Sequence, residues 1–375
     1  MHVCLLYDCL FPWTVGGAER WYRALAEKLA EQGHRVTYLT LRQWDEHDEP
    51  HIPEIEVIAV GPPQELYGAG RRRILPPLRF GAGVFWHLLR HGRRYDHIHT
   101  ASFPFFSLLA AGMLKPVQRY SLGVDWHEVW SRNYWRTYLG AAGTIGWWVQ
   151  KLCTLLPQHA FAFSRLHLDR LQQLGRTGTL LPGEYAGGER ETKPAAAPPT
   201  ILYAGRLIPE KRVDLLVDAF ALARLDRPDL CLRIVGEGPH REALVARVTA
   251  LGLGDAVELS GFLPSEQLER CMTAATLICQ PSEREGYGML VVEASARGVP
   301  VVVVEGVDNA AVELVDEGYN GLIAAARPQA LSRALLTIAG DPDKWRARSA
   351  EWYVQNRGRL ALDTSLAIVS GAIAR

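Results

Sequence analysis

Residues 3–8 open the chain with an apolar run, Val3, Cys4, Leu5, Leu6 and Tyr7, closed by Asp8. After a short loop and the pair Gly16-Gly17, Trp21, Leu25 and Leu29 recur at helical spacing, with Ala18 and Ala26 alongside. Gly33 supplies a stop, and residues 35–41 return to an apolar strand. Strand, helix and strand in that order predict a βαβ unit of parallel sheet. Residues 97–100 and 118–123 read as further strand ends, and 103–114 and 139–149 as helices buried in a core.

The second half repeats the pattern. Strands are predicted at 200–204, 230–235, 256–259, 276–280 and 299–304, with helices at 213–225, 241–251, 266–275 and 290–297 between them. The uninterrupted Val-rich run at 299–304 suits a strand covered on both faces. The fold class expected is α/β, with two doubly wound Rossmann-like domains facing a central cleft. Residues 1–182 form the first domain and 200–345 the second. Residues 183–199, rich in Gly, Ala and Pro, read as the linker.

Composition agrees with such a protein. The 375 residues are 48% hydrophobic and 22% charged, too apolar for a disordered tail. Lys and Arg number 41, as do Asp and Glu, so no global charge marks a nucleic-acid binder. The balance hides an asymmetry, because residues 71–182 hold 15 basic and 4 acidic side chains. In 71–94 the arginines alternate with Phe80, Phe85 and Trp86. That mixture suits peripheral contact with an anionic membrane or an anionic substrate, against the ordinary reading of a solvated surface. No apolar run reaches the roughly 18 residues of a membrane span, and no secretory leader is apparent at Met1. The six scattered cysteines form no CxxC pair and read as reduced thiols of a cytoplasmic protein.

Three loops carry candidate chemistry. Gly16 and Gly17 stand at a helix start, where free backbone N–H groups attract anions. Arg206 and Lys211 flank a Pro turn between a strand end and a helix start; a planar fork and a movable ammonium suit a diphosphate. Glu285 and Glu293 bracket Gly286, Tyr287, Gly288, Met289 and Leu290, so one carboxylate precedes a helix and the other lies about a turn into it. Carboxylates accept from hydroxyls. Hydroxyls, anion and hydroxyls are the layout of a sugar–diphosphate–ribose ligand.

These stretches resemble retaining glycosyltransferases of the GT-B class, family GT4. Residues 16–20, 205–212, 234–239 and 285–293 carry the resemblance, in the family's order and across nearly the whole chain. It implies that Gly17 approaches the donor phosphates and that Arg206 and Lys211 hold the diphosphate. It implies that Glu285 binds sugar hydroxyls, Glu293 binds ribose hydroxyls, and residues 286–290 lend N–H groups. Gly205 belongs to the same loop, and Gly261, Phe262 and Leu263 resemble the base-binding strand end. His127, in Asp125-Trp126-His127-Glu128, resembles the histidine near the anomeric side; a structural His in an aromatic loop is the competing reading. Asp125, Trp126 and His99 are expected on the acceptor side, and the terminal helix, about 346–375, packs back on the first domain.

The implied reaction is metal-independent, retaining glycosyl transfer from a nucleoside-diphosphate sugar to a hydroxyl of a glycan, lipid-linked or small-molecule acceptor. No cofactor or metal is expected, nor any nucleic acid, and the cytoplasmic protein would work at the inner membrane face. Asp341-Pro342-Asp343 matches a metal-binding D-x-D, but a helix cap followed by Pro explains it. A nucleotide-sugar epimerase or hydrolase is the alternative enzyme, and a silent nucleotide-sugar-binding subunit the alternative from another class.

Overall fold

The computed structural model describes residues 1–45, 50–65, 67–68, 71–72, 75–188, 190 and 197–374. The side chains of the arginine run at 71–73, and linker positions 189 and 191–196, lie outside the described residues. The chain divides into two compact units, residues 1–184 with 362–375, and residues 185–361.

Unit one is built on a parallel sheet of β1 (His2–Leu6), β2 (Arg35–Thr40), β3 (Ile55–Ala59), β4 (His97–Ala101), β5 (Ser121–Trp126), β6 (His159–Ala162) and β7 (Gly178–Leu180), in the order β3-β2-β1-β4-β5-β6-β7. Val3 to Leu6 are buried on both faces of the sheet, which is why β1 reads as a continuous apolar run. Helix α1 (Gly17–Glu31) carries β1 to β2 in one direction across the sheet. Helices α2 (Leu75–His91), α3 (Phe105–Gln118), α4 (Arg132–Leu139), α5 (Gly143–Leu155) and α6 (Arg165–Gln173) serve connections that run the other way. Right-handed crossovers therefore put α2, α3 and α5 on one face and α1 on the opposite face.

Two sequence expectations change here. Residues 118–123 do not begin as strand: α3 runs through Gln118, Arg119 ends it at φ 70°, and β5 starts at Ser121. The helix expected in the core at 139–149 is instead displaced to α5, which turns its bulk outward. Its buried positions are Gly143, Gly146, Gln150, Cys153 and Thr154. A Cβ at Gly146 would strike the Trp135 ring, so small residues are what let α5 press against α4. The large apolar residues occupy the other face.

Unit two repeats the architecture with β8 (Thr200–Ala204), β9 (Cys231–Val235), β10 (Val257–Gly261), β11 (Leu277–Gln280), β12 (Val301–Val304) and β13 (Gly321–Ala324), in the order β10-β9-β8-β11-β12-β13 and all parallel. Its helices are α7 (Val213–Asp226), α8 (Arg241–Ala250), α9 (Ser265–Ala274), α10 (Met289–Ser295), α11 (Pro328–Ala339) and α12 (Pro342–Leu360). Leu216, Phe220, Leu335, Ile338 and Trp345 pack with Ile201 and Ile234 in its core. Asp341 caps α12 by accepting from Lys344 N, with Pro342 in the first turn.

The tail divides between the units, which corrects the expectation that 346–375 packs on the first domain as a whole. Arg346 donates to Ala275 O at 2.7 Å and to Thr273 O at 3.0 Å, and Ser349 to Val299 O at 3.1 Å, so α12 belongs to unit two. Ala361 is extended, and α13 (Leu362–Ile373) joins unit one, where Gln32 donates to Ser370 at 3.2 Å. The expected linker, 183–199, also belongs to unit two from Tyr185 on: Tyr185 N donates to Leu360 O and Arg190 N to Ala296 O, each at 3.1 Å. Among the described residues no helix is long and apolar enough to cross a membrane.

Candidate functional site

A cavity of about 550 Å³ opens in unit two at the carboxyl ends of β8, β9, β10 and β11, the end of an open parallel sheet where ligands bind. Nine of the residues singled out in the sequence line it: Gly205, Arg206, Lys211, Phe262, Leu263, Glu285, Met289, Leu290 and Glu293.

Two loops make its floor by interlocking. Gly205 N donates to Val235 O at 3.0 Å, Leu207 N to Glu237 O at 2.9 Å, and Gly236 N to Gly261 O at 2.8 Å. A Cβ at Gly236, which sits at φ 140°, would strike the Gly205 carbonyl oxygen. The glycines of 234–239 thus let the β8 and β9 loops lie against each other.

On the wall, Lys211 Nζ donates to Glu285 Oε1 at 2.5 Å, and Gln280 Nε2 donates to the same oxygen at 2.7 Å. Burial pushes the Glu285 carboxyl up. The charge of Lys211 and the hydrogen bonds from Lys211 and Gln280 outweigh it and hold the group below its ordinary value. The backbone is pinned as well. Glu283 N donates to Glu210 O at 2.9 Å, and Glu285 pairs in register with Asn309, whose amide donates to Ser282 O and Val304 O at 3.0 and 2.8 Å. Arg206 is exposed on the cavity rim, and no ion-pair partner for it stands among the described residues. Phe262 leaves 82% of its surface exposed, unusual for a Phe beside a strand end.

Four other expected residues stand back from the cavity lining. Gly261 ends β10 at φ 68°, and Gly286 precedes Tyr287 and Gly288, which are buried. Gly288 takes φ 108° before α10, and a Cβ there would strike Ala311. Sequence reasoning missed Gln280, Leu268, Met272 and Glu237, all in the lining. Glu237 lay inside the quoted 234–239 motif, and Gln280 ended a predicted strand. Leu268 and Met272, four apart on α9, looked like ordinary helix packing. Gln280 Oε1 is buried with no hydrogen-bond partner.

The remaining candidates lie in unit one. Gly16 caps α1 in an extended conformation against the Glu19 carboxylate, while nothing crowds Gly17. The His127 ring stacks on Phe163 at 4.3 Å, with Nδ1 3.8 Å from Glu184 Oε1. Burial lowers its basicity, but the nearby Glu184 carboxylate and the charges of Asp125 and Glu128 raise it above the ordinary imidazole value. Three acceptor-side expectations are corrected. His99 and Asp125 are fully buried, with His99 Nε2 2.9 Å from Asp125 Oδ2, and Trp21 Nε1 donates to that oxygen at 2.7 Å. Trp126 is fully buried too, and donates to Gln158 at 2.9 Å. His99 on β4 and Asp125 and Trp126 on β5 sit in stretches of strand that are buried on both faces of the sheet, and these side chains support the sheet end that carries His127. Among the described residues no group of three or more His, Cys, Asp and Glu converges to hold a metal.

The family model described as Glycosyltransferase Family 4 matches residues 15–179, and that described as Glycosyl transferases group 1 matches 189–352. An exopolysaccharide phosphotransferase of Streptomyces coelicolor is 37% identical over 144 residues, 38% of this chain and 15% of that protein. A GDP-mannose-dependent alpha-(1-6)-phosphatidylinositol monomannoside mannosyltransferase of Mycolicibacterium smegmatis is 31% identical over 169 residues, 42% of this chain and 44% of that protein. The matches thus span less than half the length of these curated relatives. Among solved structures, Anabaena Alr3699/HepE in complex with UDP superposes with a TM-score of 0.75 at 20% identity, covering 100% of both chains. That likeness shows the fold.

Proposed function

Because the chain belongs to the group 1, family 4 glycosyltransferases, we propose that it moves a sugar from a nucleoside-diphosphate sugar to a hydroxyl acceptor, with retention and without a metal. The observation that carries this reading is the Lys211–Glu285 pair beside Arg206 in a cavity of about 550 Å³. A volume of that order suits a nucleotide-sized ligand. Cations, carboxylates and an exposed aromatic lie around one space, as diphosphate, hydroxyls and base require.

Each residue has a role in the proposal. Arg206 offers its fork to diphosphate oxygens. Lys211 has three donors, so it can keep Glu285 and still give one to a phosphate oxygen. Glu285 and Glu293 accept from sugar and ribose hydroxyls, and Phe262 offers its face to the base. In the transfer the anomeric carbon–phosphate oxygen bond breaks and the acceptor oxygen bonds to the same face. The acceptor proton passes to a departing phosphate oxygen. Arg206 and Lys211 stabilise the charge that develops on the leaving diphosphate. His127, raised in basicity by Glu184, donates to a sugar hydroxyl, and Gly17 leaves room for the donor phosphates. No resident cofactor takes part.

The names of the relatives support a nucleotide-sugar donor and leave the acceptor as a glycan, a lipid-linked sugar or a small molecule. The match covers 15% of the phosphotransferase and leaves most of that protein unmatched. The basic stretch 71–94 supports peripheral contact at the cytoplasmic membrane face.

Thermal shift with UDP-, GDP-, ADP- and dTDP-sugars tests the donor site, because binding to the folded state raises the melting temperature. One donor class is expected to stabilise the protein, and chelation to leave transfer unchanged. No shift with any donor would sink the reading. Donor consumption that proceeds equally without acceptor would replace transfer by hydrolysis or epimerisation.

A further inference from the structure

Helix α5 has its amphipathicity reversed. Ile145, Trp148, Leu152 and Leu155, spaced 3, 4 and 3 apart, form one helix face, and each is more than half exposed. The inward face is Gly, Gln, Cys and Thr. An ordinary surface helix does the opposite.

The neighbouring helices continue the same surface. α3 exposes Met113 and Val117, and α2 exposes Leu75, Leu78, Trp86 and Leu89. The three helices are contiguous. A Cβ at Gly81 of α2 would strike Phe106 of α3, and one at Gly112 of α3 would strike Leu156 just beyond α5. Lys115 also donates to Pro157 O at 2.7 Å. Contiguous exposed apolar surface of this kind marks an interaction site.

Cations stud this face. Arg132 lies over the Trp147 ring at 4.1 Å, Lys151 lies 5.4 Å from the rings of both Trp147 and Trp148, and Arg90 lies 5.3 Å over Trp86. Residues 75–158 contain nine Lys and Arg against three Asp and Glu, and one of the acids, Asp125, is buried. Trp rings beside snorkelling Lys and Arg on an apolar surface match the headgroup layer of an anionic bilayer. A second copy fits poorly, since a two-fold contact would set cationic surface against cationic surface.

We propose that the outer face of α2, α3 and α5 seats on an anionic phospholipid bilayer, with Ile145, Trp148, Leu152 and Leu155 entering the interface. This deepens the membrane contact proposed for 71–94, which rested on arginines interleaved with aromatics and did not include α5. It needs neither donor nor acceptor.

The test is co-sedimentation of the full chain with phosphatidylcholine vesicles, with and without phosphatidylglycerol. Pelleting is expected with the anionic vesicles and is weakened by salt. Trp148→Ser/Leu152→Ser should lower the partition by about tenfold or more, and Lys151→Glu should lower it as well. Circular dichroism and melting of these variants should match the parent, because Trp148 and Leu152 are exposed and Lys151 is partly so. Arg90→Glu/Arg93→Glu tests the basic stretch separately. If that variant releases the protein while Trp148→Ser/Leu152→Ser binds as the parent does, the α5 face is overturned and the 71–94 contact stands. Absence of pelleting with either vesicle overturns both. A parent dimer in sedimentation velocity that Trp148→Ser/Leu152→Ser converts to monomer assigns the face to a second copy instead.

Discussion

Lys211 and Glu285, assigned from the sequence to the diphosphate and to the sugar hydroxyls of a ligand, bond to each other at 2.5 Å on one wall of the unit-two cavity. The pair is mostly buried, with 19% and 13% of the side chains exposed. Removing one partner strands the other charge. Lys211→Ala is therefore expected to cost about 3 kcal/mol of stability, read by denaturant unfolding. Adding Glu285→Gln to it should recover part of that loss and leave donor binding weak. An additive double-mutant cycle would show that the two side chains do not couple.

The same pair predicts an acid limit. The folded Glu285 carboxyl lies below its unfolded value of 4.5. Its contribution is thus fully present above that value and is lost as pH falls through the folded one. Melting temperature measured from neutral to acid pH should drop less steeply in Glu285→Gln than in the parent.

Arg206 is exposed and makes no ion pair among the described residues. Arg206→Ala should leave unfolding within about 0.5 kcal/mol of the parent and lower turnover by about 100-fold. A folded variant that transfers at the parent rate removes this arginine from the diphosphate clamp.

Gln280 donates to Glu285 and keeps an unpaired, buried Oε1 at the cavity. A donor hydroxyl that reaches it gains a hydrogen bond. Gln280→Leu should weaken donor binding by about tenfold, measured by calorimetry. Unchanged affinity would make Gln280 a scaffold for Glu285 only.

His127 titrates in the opposite sense. Its basicity is raised above the ordinary 6.5, chiefly by Glu184 against the cost of burial. The stabilisation is complete below 6.5 and disappears as pH rises through the higher folded value. Glu184→Gln should shift the imidazole resonance of His127, followed by NMR, to a lower midpoint. An unmoved midpoint would assign the raised basicity to Asp125 and Glu128.

Much of this protein was legible in one dimension. Alternating apolar runs and amphipathic segments predicted two parallel sheets, because a strand buried on both faces, as at 301–304, has few residue types to choose from. Gly205 to Lys211 and Glu285 to Glu293 announced the cavity because loops at strand ends carry chemistry in short contiguous stretches. What had to wait for the tertiary structure were relations between elements. Gln280 and Met272 reach the cavity from a strand end and a helix that are continuous with ordinary core patterns. Asp125, His99 and Trp126 look like binding groups in the sequence, yet the covered faces of β4 and β5 bury them all. Periodicity shows that α5 has an apolar stripe, but only packing against Trp135 decides that the small residues face inward and the stripe outward. A pattern along the chain sets which residues share a face; what that face meets depends on neighbours the chain brings in from elsewhere.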